Sequence, residues 1–176
     1  MEKLLAALLL AALLGLSQCK KKDPAPADQL PPATQTGANT FGCLVNGQAW
    51  TPSGNDGTSN YSLYYDPSYR NGTLNIGAYR YANSNSNSKQ LITIYSDSLR
   101  SVGNYFLVKD GRQEAFFKDR ATGCEFLGGT YYRRGTLIIT RLDLQSGIIA
   151  GTFSFTLYKP GCDSIRVTQG RFDKKL

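Results

Sequence analysis

The chain has 176 residues, with 20 Lys and Arg against 13 Asp and Glu, a formal charge of +7, and no histidine. That length fits one domain plus a tail. Without histidine neither a Ser-His-Asp nor a Cys-His site can be assembled, and the commonest general base and metal ligand are missing. Cys43, Cys124 and Cys162 stand far apart with no C-x-x-C spacing, so no metal site and no cofactor are expected.

The chain opens with MEKLLAALLLAALLGLSQC, in which Lys3 precedes the uninterrupted Leu/Ala/Gly run from Leu4 to Leu16. That is the layout of an export signal. The run is too short to span a bilayer, which takes about 20 apolar residues. Leu16, Ser17 and Cys19 resemble the lipobox of bacterial lipoproteins, with Gln18 in place of the usual small residue before the cysteine. The resemblance implies cleavage after residue 18 and acylation of Cys19. Several acyl chains would make a stable anchor, at about 0.8 kcal/mol per buried CH2. It also implies a place in the cell envelope, and Lys20 directly after the cysteine fits sorting to the outer membrane, facing either the periplasm or the outside.

Residues 20–40, KKKDPAPADQLPPATQTGANT, hold four of the seven prolines and no alternating pattern. They are expected to form a disordered tether spanning about 25 Å root-mean-square. Residues 41–176 then form the single domain. Its 16 Lys and Arg against 10 Asp and Glu keep it basic. A basic surface favours anionic partners such as lipid phosphates or acidic glycans, although a merely solvated basic surface has the same composition. No nucleic-acid-binding motif is present, and nucleic acid is not an expected partner.

The domain begins with TFGCLVNGQAW, where Asn46-Gly47 signals a two-residue hairpin turn that pairs Cys43 with Trp50 and Leu44 with Ala49. Trp50 is expected in the core. Asn55, Asp56 and Gly57 in the following loop lack the spaced acidic ligands of a calcium loop. Residues 60–72, NYSLYYDPSYRNG, gather Tyr61, Tyr64, Tyr65, Tyr69 and Arg70 around Asp66-Pro67. Flat rings with a guanidinium can stack on sugar CH faces and bind hydroxyls or acids, so these five residues are the candidate binding site. Tyrosine is also a favoured strand residue, and ordinary strand packing is the competing explanation.

Thr73 to Tyr81 alternates as a half-buried strand, and Gln90 to Ser96 forms another. Gly103–Lys109 and Gln113–Lys118 flank Asp110-Gly111, a second hairpin signal. GTLIITRL, IIAGTFSFTLY and the strand from Ser164 to Phe172 make a three-stranded antiparallel meander. In its middle strand Ile149, Gly151, Phe153, Phe155 and Leu157 share one face. Two of Cys43, Cys124 and Cys162 are expected to form a disulfide in an oxidising compartment, with all three pairings open. Asp143 and Asp173, beside Arg141 and Arg171, read as turn and ion-pair residues.

These stretches, with the closing GRFD, resemble an uncharacterised family of lipoproteins found in Bacteroidota. Members usually carry T-D-G-R-F-D where this chain has Gln169. The resemblance implies address and architecture and no mechanism. Asp97-Ser98-Leu99 and Asp163-Ser164-Ile165 also resemble the O-glycosylation pattern of exported proteins from that group.

The fold class expected is all-β, an antiparallel β-sandwich of about nine or ten strands, with a lipocalin-like β-barrel as the alternative. The function expected is non-catalytic: an outer-membrane-anchored binding or structural module for glycans or anionic envelope components. The alternative is a carboxylate-based glycan hydrolase, a chemistry that needs no histidine.

Overall fold

Alternation with period 2 runs through the domain, and the chain folds accordingly into two packed antiparallel sheets. The computed structural model describes residues 23–128 and 131–176. The strands are β1 (Thr40–Val45), β2 (Gln48–Trp50), β3 (Tyr61–Asp66), β4 (Thr73–Tyr81), β5 (Lys89–Ser96) and β6 (Gly103–Val108). They continue as β7 (Gln113–Asp119), β8 (Cys124–Phe126), β9 (Tyr132–Asp143), β10 (Ile148–Tyr158) and β11 (Ile165–Lys175). One sheet runs β2-β1-β11-β10-β9-β6 and the other β3-β4-β5-β7-β8. Both keep their edges, so the architecture is an open sandwich and not the closed barrel of the alternative.

The first hairpin forms as expected. Asn46 (φ 49°) and Gly47 (φ 81°) both take positive φ, and Cys43 faces Trp50 while Leu44 faces Ala49. The β9-β10-β11 meander also forms, with Ile149, Gly151, Phe153, Phe155 and Leu157 buried on one face of β10. Gly151 is required there, because a Cβ would lie 2.2 Å from the Ile138 carbonyl oxygen and 2.8 Å from the Phe172 ring. The core is aromatic: Phe41 stacks on Phe153 at 5.2 Å and meets Trp50 edge-on at 5.9 Å. Each such side chain contributes about 1.5–3 kcal/mol by leaving water.

The second hairpin signal does not make a hairpin. Asp110 takes φ 59° and the Gly111 amide donates to the Val108 carbonyl, so a tight turn is present. Yet β6 pairs with β9 in one sheet and β7 pairs with β5 in the other. The buried Arg133 explains part of this crossing: its Nη2 donates to the Val108 oxygen at 3.1 Å and its Nη1 to the Tyr131 hydroxyl at 3.1 Å. Val108 is thereby held to the six-stranded sheet as the chain leaves it.

The disulfide joins Cys124 and Cys162. It ties β8, an edge strand of the five-stranded sheet, to the loop between β10 and β11 of the other sheet. Among the described residues Cys43 is the free thiol, fully buried beside Trp50, and burial pushes its pKa up to about 12.

The tether expectation is corrected from Pro26 onward, where Pro26–Gln29 form a 3-10 turn beside β2. Leu30 is buried, and Pro31 lies over Gly42, where a Cβ would meet its Cδ at 2.6 Å. Residues 34–38 then cross the outer face of the six-stranded sheet, wrapped around one carboxylate. Asp173 accepts from Thr34 Oγ1 (2.7 Å) and from the amides of Thr36 (2.9 Å), Gly37 (2.8 Å) and Ala38 (3.1 Å). Arg141 Nη1 adds a hydrogen bond to the Gln35 carbonyl at 2.6 Å. A polar segment stays docked here because one buried acceptor gathers its amides. The leader, including Cys19, lies outside the described residues.

Candidate functional site

Strand pairing divides the five-residue tyrosine and arginine cluster. Tyr61 and Tyr65 have the same parity on β3, point into the sandwich and are only 6% and 9% exposed. The Tyr65 hydroxyl donates to the Leu99 carbonyl at 2.8 Å, and Lys174 Nζ lies 4.9 Å from the Tyr61 ring centroid. These two are core residues, as the strand-packing explanation has it. Tyr64 and Tyr69 are 62% and 54% exposed and remain available.

The turn that carries Tyr69 and Arg70 is built on Asp66. Its Oδ1 accepts from the Ser68 amide (2.8 Å), the Ser68 hydroxyl (2.7 Å) and the Tyr69 amide (3.1 Å). Those bonds hold its carboxyl below the usual aspartate range. Arg70 takes φ 48° at the tip, which sets its guanidinium 5.4 Å from the Tyr69 ring centroid and 3.8 Å from the Asp97 carboxylate. The Arg70 pKa lies above its ordinary range, chiefly through Tyr69 and next through Tyr95.

Tyr95, which nothing in the local sequence sets apart, joins this face through strand pairing. Tyr64 pairs with Asn75, Asn75 with Tyr95, and Tyr95 with Glu114, so these four form a row across the outer face of the five-stranded sheet. The next row reads Ser62, Gly77, Thr93 and Phe116. Gly77 has no side chain, and the Ser62 hydroxyl leans over it, 3.3 Å from where a Cβ would stand. The far end is closed by the loop after β2: the Tyr79 hydroxyl donates to Asp56 Oδ1 at 2.8 Å, and the Lys89 ammonium sits 4.2 Å from the Tyr79 ring centroid. Lys89 also pairs with Asp56, so the loop of Asn55, Asp56 and Gly57 is a hydrogen-bonded turn. Among the described residues no cluster of metal-ligating side chains is present.

The acidic pair takes two separate structural roles. Asp143 ion-pairs with Arg141 at 2.7 Å and accepts from the Ser146 amide, as expected of a turn residue. Asp173 has no basic partner within 4 Å among the described residues, because Arg171 turns instead to the Gln169 and Pro31 carbonyls. It is 1% exposed and its oxygens are taken by residues 34–38.

What the outer face offers is therefore two tyrosine rings with an amide between them and a guanidinium at the corner. Rings supply flat apolar surface, and the amide and guanidinium supply hydrogen bonds in fixed directions. Set against protein-family models, curated proteins and solved structures, the chain has no match in any of the three.

Proposed function

We propose that the chain is a lipid-anchored, non-catalytic binding module of the outer membrane that holds a glycan against the outer face of its five-stranded sheet. The observation that carries this is the row Tyr64, Asn75 and Tyr95, with Tyr69 and Arg70 at its edge. Sugar rings have apolar CH faces and polar rims, and this face alternates aromatic rings with an amide and a cation in the same way. The face itself carries both signs, with Arg70 beside Asp97 and Glu114 at the end of the row, so it offers hydrogen bonds to hydroxyls as well as a cation for an acidic group. The anchor is read from Leu16, Ser17 and Cys19, in their resemblance to a lipobox, and the Bacteroidota lipoprotein resemblance gives the same address.

The test uses the full chain purified in detergent and titrated with neutral and acidic envelope polysaccharides. Removing two stacking rings by Tyr64→Ala with Tyr95→Ala costs about 0.5–1.5 kcal/mol each, or about 5- to 150-fold in affinity. Equal binding by the double variant, or no glycan bound by the parent chain, refutes the reading. Cys19→Ser is expected to release the protein from membranes and to abolish acyl labelling; labelling that persists refutes the anchor.

A further inference from the structure

At one end of the sandwich the inward-facing positions become polar. Arg80, Gln90 and Asp119 are cross-strand partners on β4, β5 and β7, one step beyond the buried Ala78, Ile92 and Phe117. Opposite them stands the β1–β2 hairpin, and the Cys124–Cys162 disulfide lies on the rim. Together they bound a cavity of about 280 Å³, which reaches down to Phe117 between Val45 and Ile165. A volume of that order suits a small molecule.

The polar groups are held rigidly and with opposite signs. Arg80 Nε donates to Gln90 Oε1 at 2.9 Å and Nη1 to the Ala49 carbonyl at 2.9 Å, while its guanidinium lies 5.5 Å from the Trp50 ring centroid. The same Gln90 donates through Nε2 to Asp119 Oδ2 at 2.8 Å, so a single amide stands between cation and carboxylate. Asp119 Oδ1 accepts from the Ala121 amide at 2.9 Å. Among the described residues no carboxylate comes within 4 Å of Arg80, and Asp163 at the exposed rim enters no ion pair. Arg80 is half-buried, and that burial lowers its pKa. A partly desolvated guanidinium that lacks a carboxylate gains by binding one.

The charges choose between ligand classes. A simple anion would meet Asp119 and Asp163, and a simple cation would meet Arg80. A sugar ring would find no exposed aromatic plane, since Phe117 is buried and Trp50 lies beneath Arg80. A molecule bearing both charges next to an aliphatic group satisfies all sides. We propose that this cavity binds a small zwitterion of the α-amino-acid class, with its carboxylate on Arg80, its ammonium toward Asp119 and Asp163, and an aliphatic side chain over Val45 and Ile165. The site is separate from the tyrosine face, and neither proposal depends on the other.

Trp50 is the only tryptophan in the chain and hydrogen-bonds to Gln90 Oε1 at 3.0 Å, so it is a built-in reporter. The full chain in detergent is titrated with L-leucine, followed by Trp50 fluorescence and calorimetry. Saturable binding is expected, and 4-methylpentanoate, which lacks the ammonium, and 3-methylbutylamine, which lacks the carboxylate, should each bind at least about tenfold more weakly. Arg80→Gln should weaken leucine by at least about tenfold. Asp163→Asn, at the solvent-exposed rim, tests the same site without disturbing the core and should weaken it by about threefold or more. No saturable binding of leucine, comparable binding of either single-charge analogue, or unchanged affinity in folded Asp163→Asn overturns the proposal.

Discussion

Replacing Asp173 by alanine tests whether one carboxylate holds the segment before β1. The substitution removes four short hydrogen bonds, three of them from the amides of Thr36, Gly37 and Ala38. Each bond to a charged group is worth about 1.5–3 kcal/mol, but the sum overstates the loss. Once the acceptor is gone the segment can peel away and give its amides to water, at the expense of exposing Leu30 and Ala150, both now buried. The expected destabilisation is about 3–5 kcal/mol, more than one such bond and well below the sum of four, since the freed amides reach water. Asp173→Asn keeps one acceptor but turns an NH2 toward the donors, and should cost about 1–3 kcal/mol. Urea unfolding reads the stability, and amide hydrogen exchange at residues 36–38 reads the docking. Stability within about 0.5 kcal/mol of the parent, with protection unchanged, would refute the reasoning.

The same site sets a pH window. Burial raises the Asp173 pKa, but the bonds from Thr34 and the three amides outweigh it and leave the group below its ordinary 3.8. A depressed folded-state pKa stabilises above the unfolded value and is lost as pH falls through the folded one. Protection of residues 36–38 should therefore hold through neutral and mildly acidic pH, and fail only below about pH 4. If Cys19 is acylated, the turn at Pro26–Gln29 beside β2 and the docked segment from Leu30 onward leave a shorter span between anchor and domain than residues 20–40 would give as a coil of about 25 Å. The domain would then stay closer to the headgroups.

Three further outcomes are expected. Cys124→Ser with Cys162→Ser opens a loop with a sequence separation of 38 residues and should cost up to about 4 kcal/mol, read by urea unfolding; a loss under about 1 kcal/mol would mean that the two sheets hold without the bridge. Cys43, buried and with its pKa pushed up to about 12, should resist maleimide in the native protein at pH 8 and react only on unfolding; rapid native labelling, detected by mass spectrometry, would contradict its placement. Gly151→Ala places a methyl against the Ile138 carbonyl and the Phe172 ring, so a loss of about 3 kcal/mol or failure to fold is expected, and a melting temperature equal to the parent's would refute that packing.

Local pattern was enough for much of the fold. Alternation along β4 and β10 set which side chains face inward, since period 2 is a property of the strand itself. Asn46-Gly47 set the first hairpin because two consecutive positive φ values select those residues. The candidate site was less legible. Tyr61, Tyr64, Tyr65 and Tyr69 lie close together in sequence, yet parity within β3 sends Tyr61 and Tyr65 to the opposite face from Tyr64. Tyr95 had no such local clue, since its place near Tyr64 depends on both β3 and β5 pairing with β4.

By itself, then, the sequence determined the all-β class, the inward and outward faces of each long strand, the tight turns and the exclusion of histidine chemistry. The last follows from composition and the others from neighbours a few residues apart. Tertiary structure alone decided that Asp110-Gly111 carries the chain between sheets, that Cys124 pairs with Cys162, and that Arg80 and Asp119 share one amide. It also decided that a proline-rich polar segment docks on a carboxylate more than a hundred residues later. Each of these depends on pairing between distant segments, where a single buried donor or acceptor outweighs what the local composition favours.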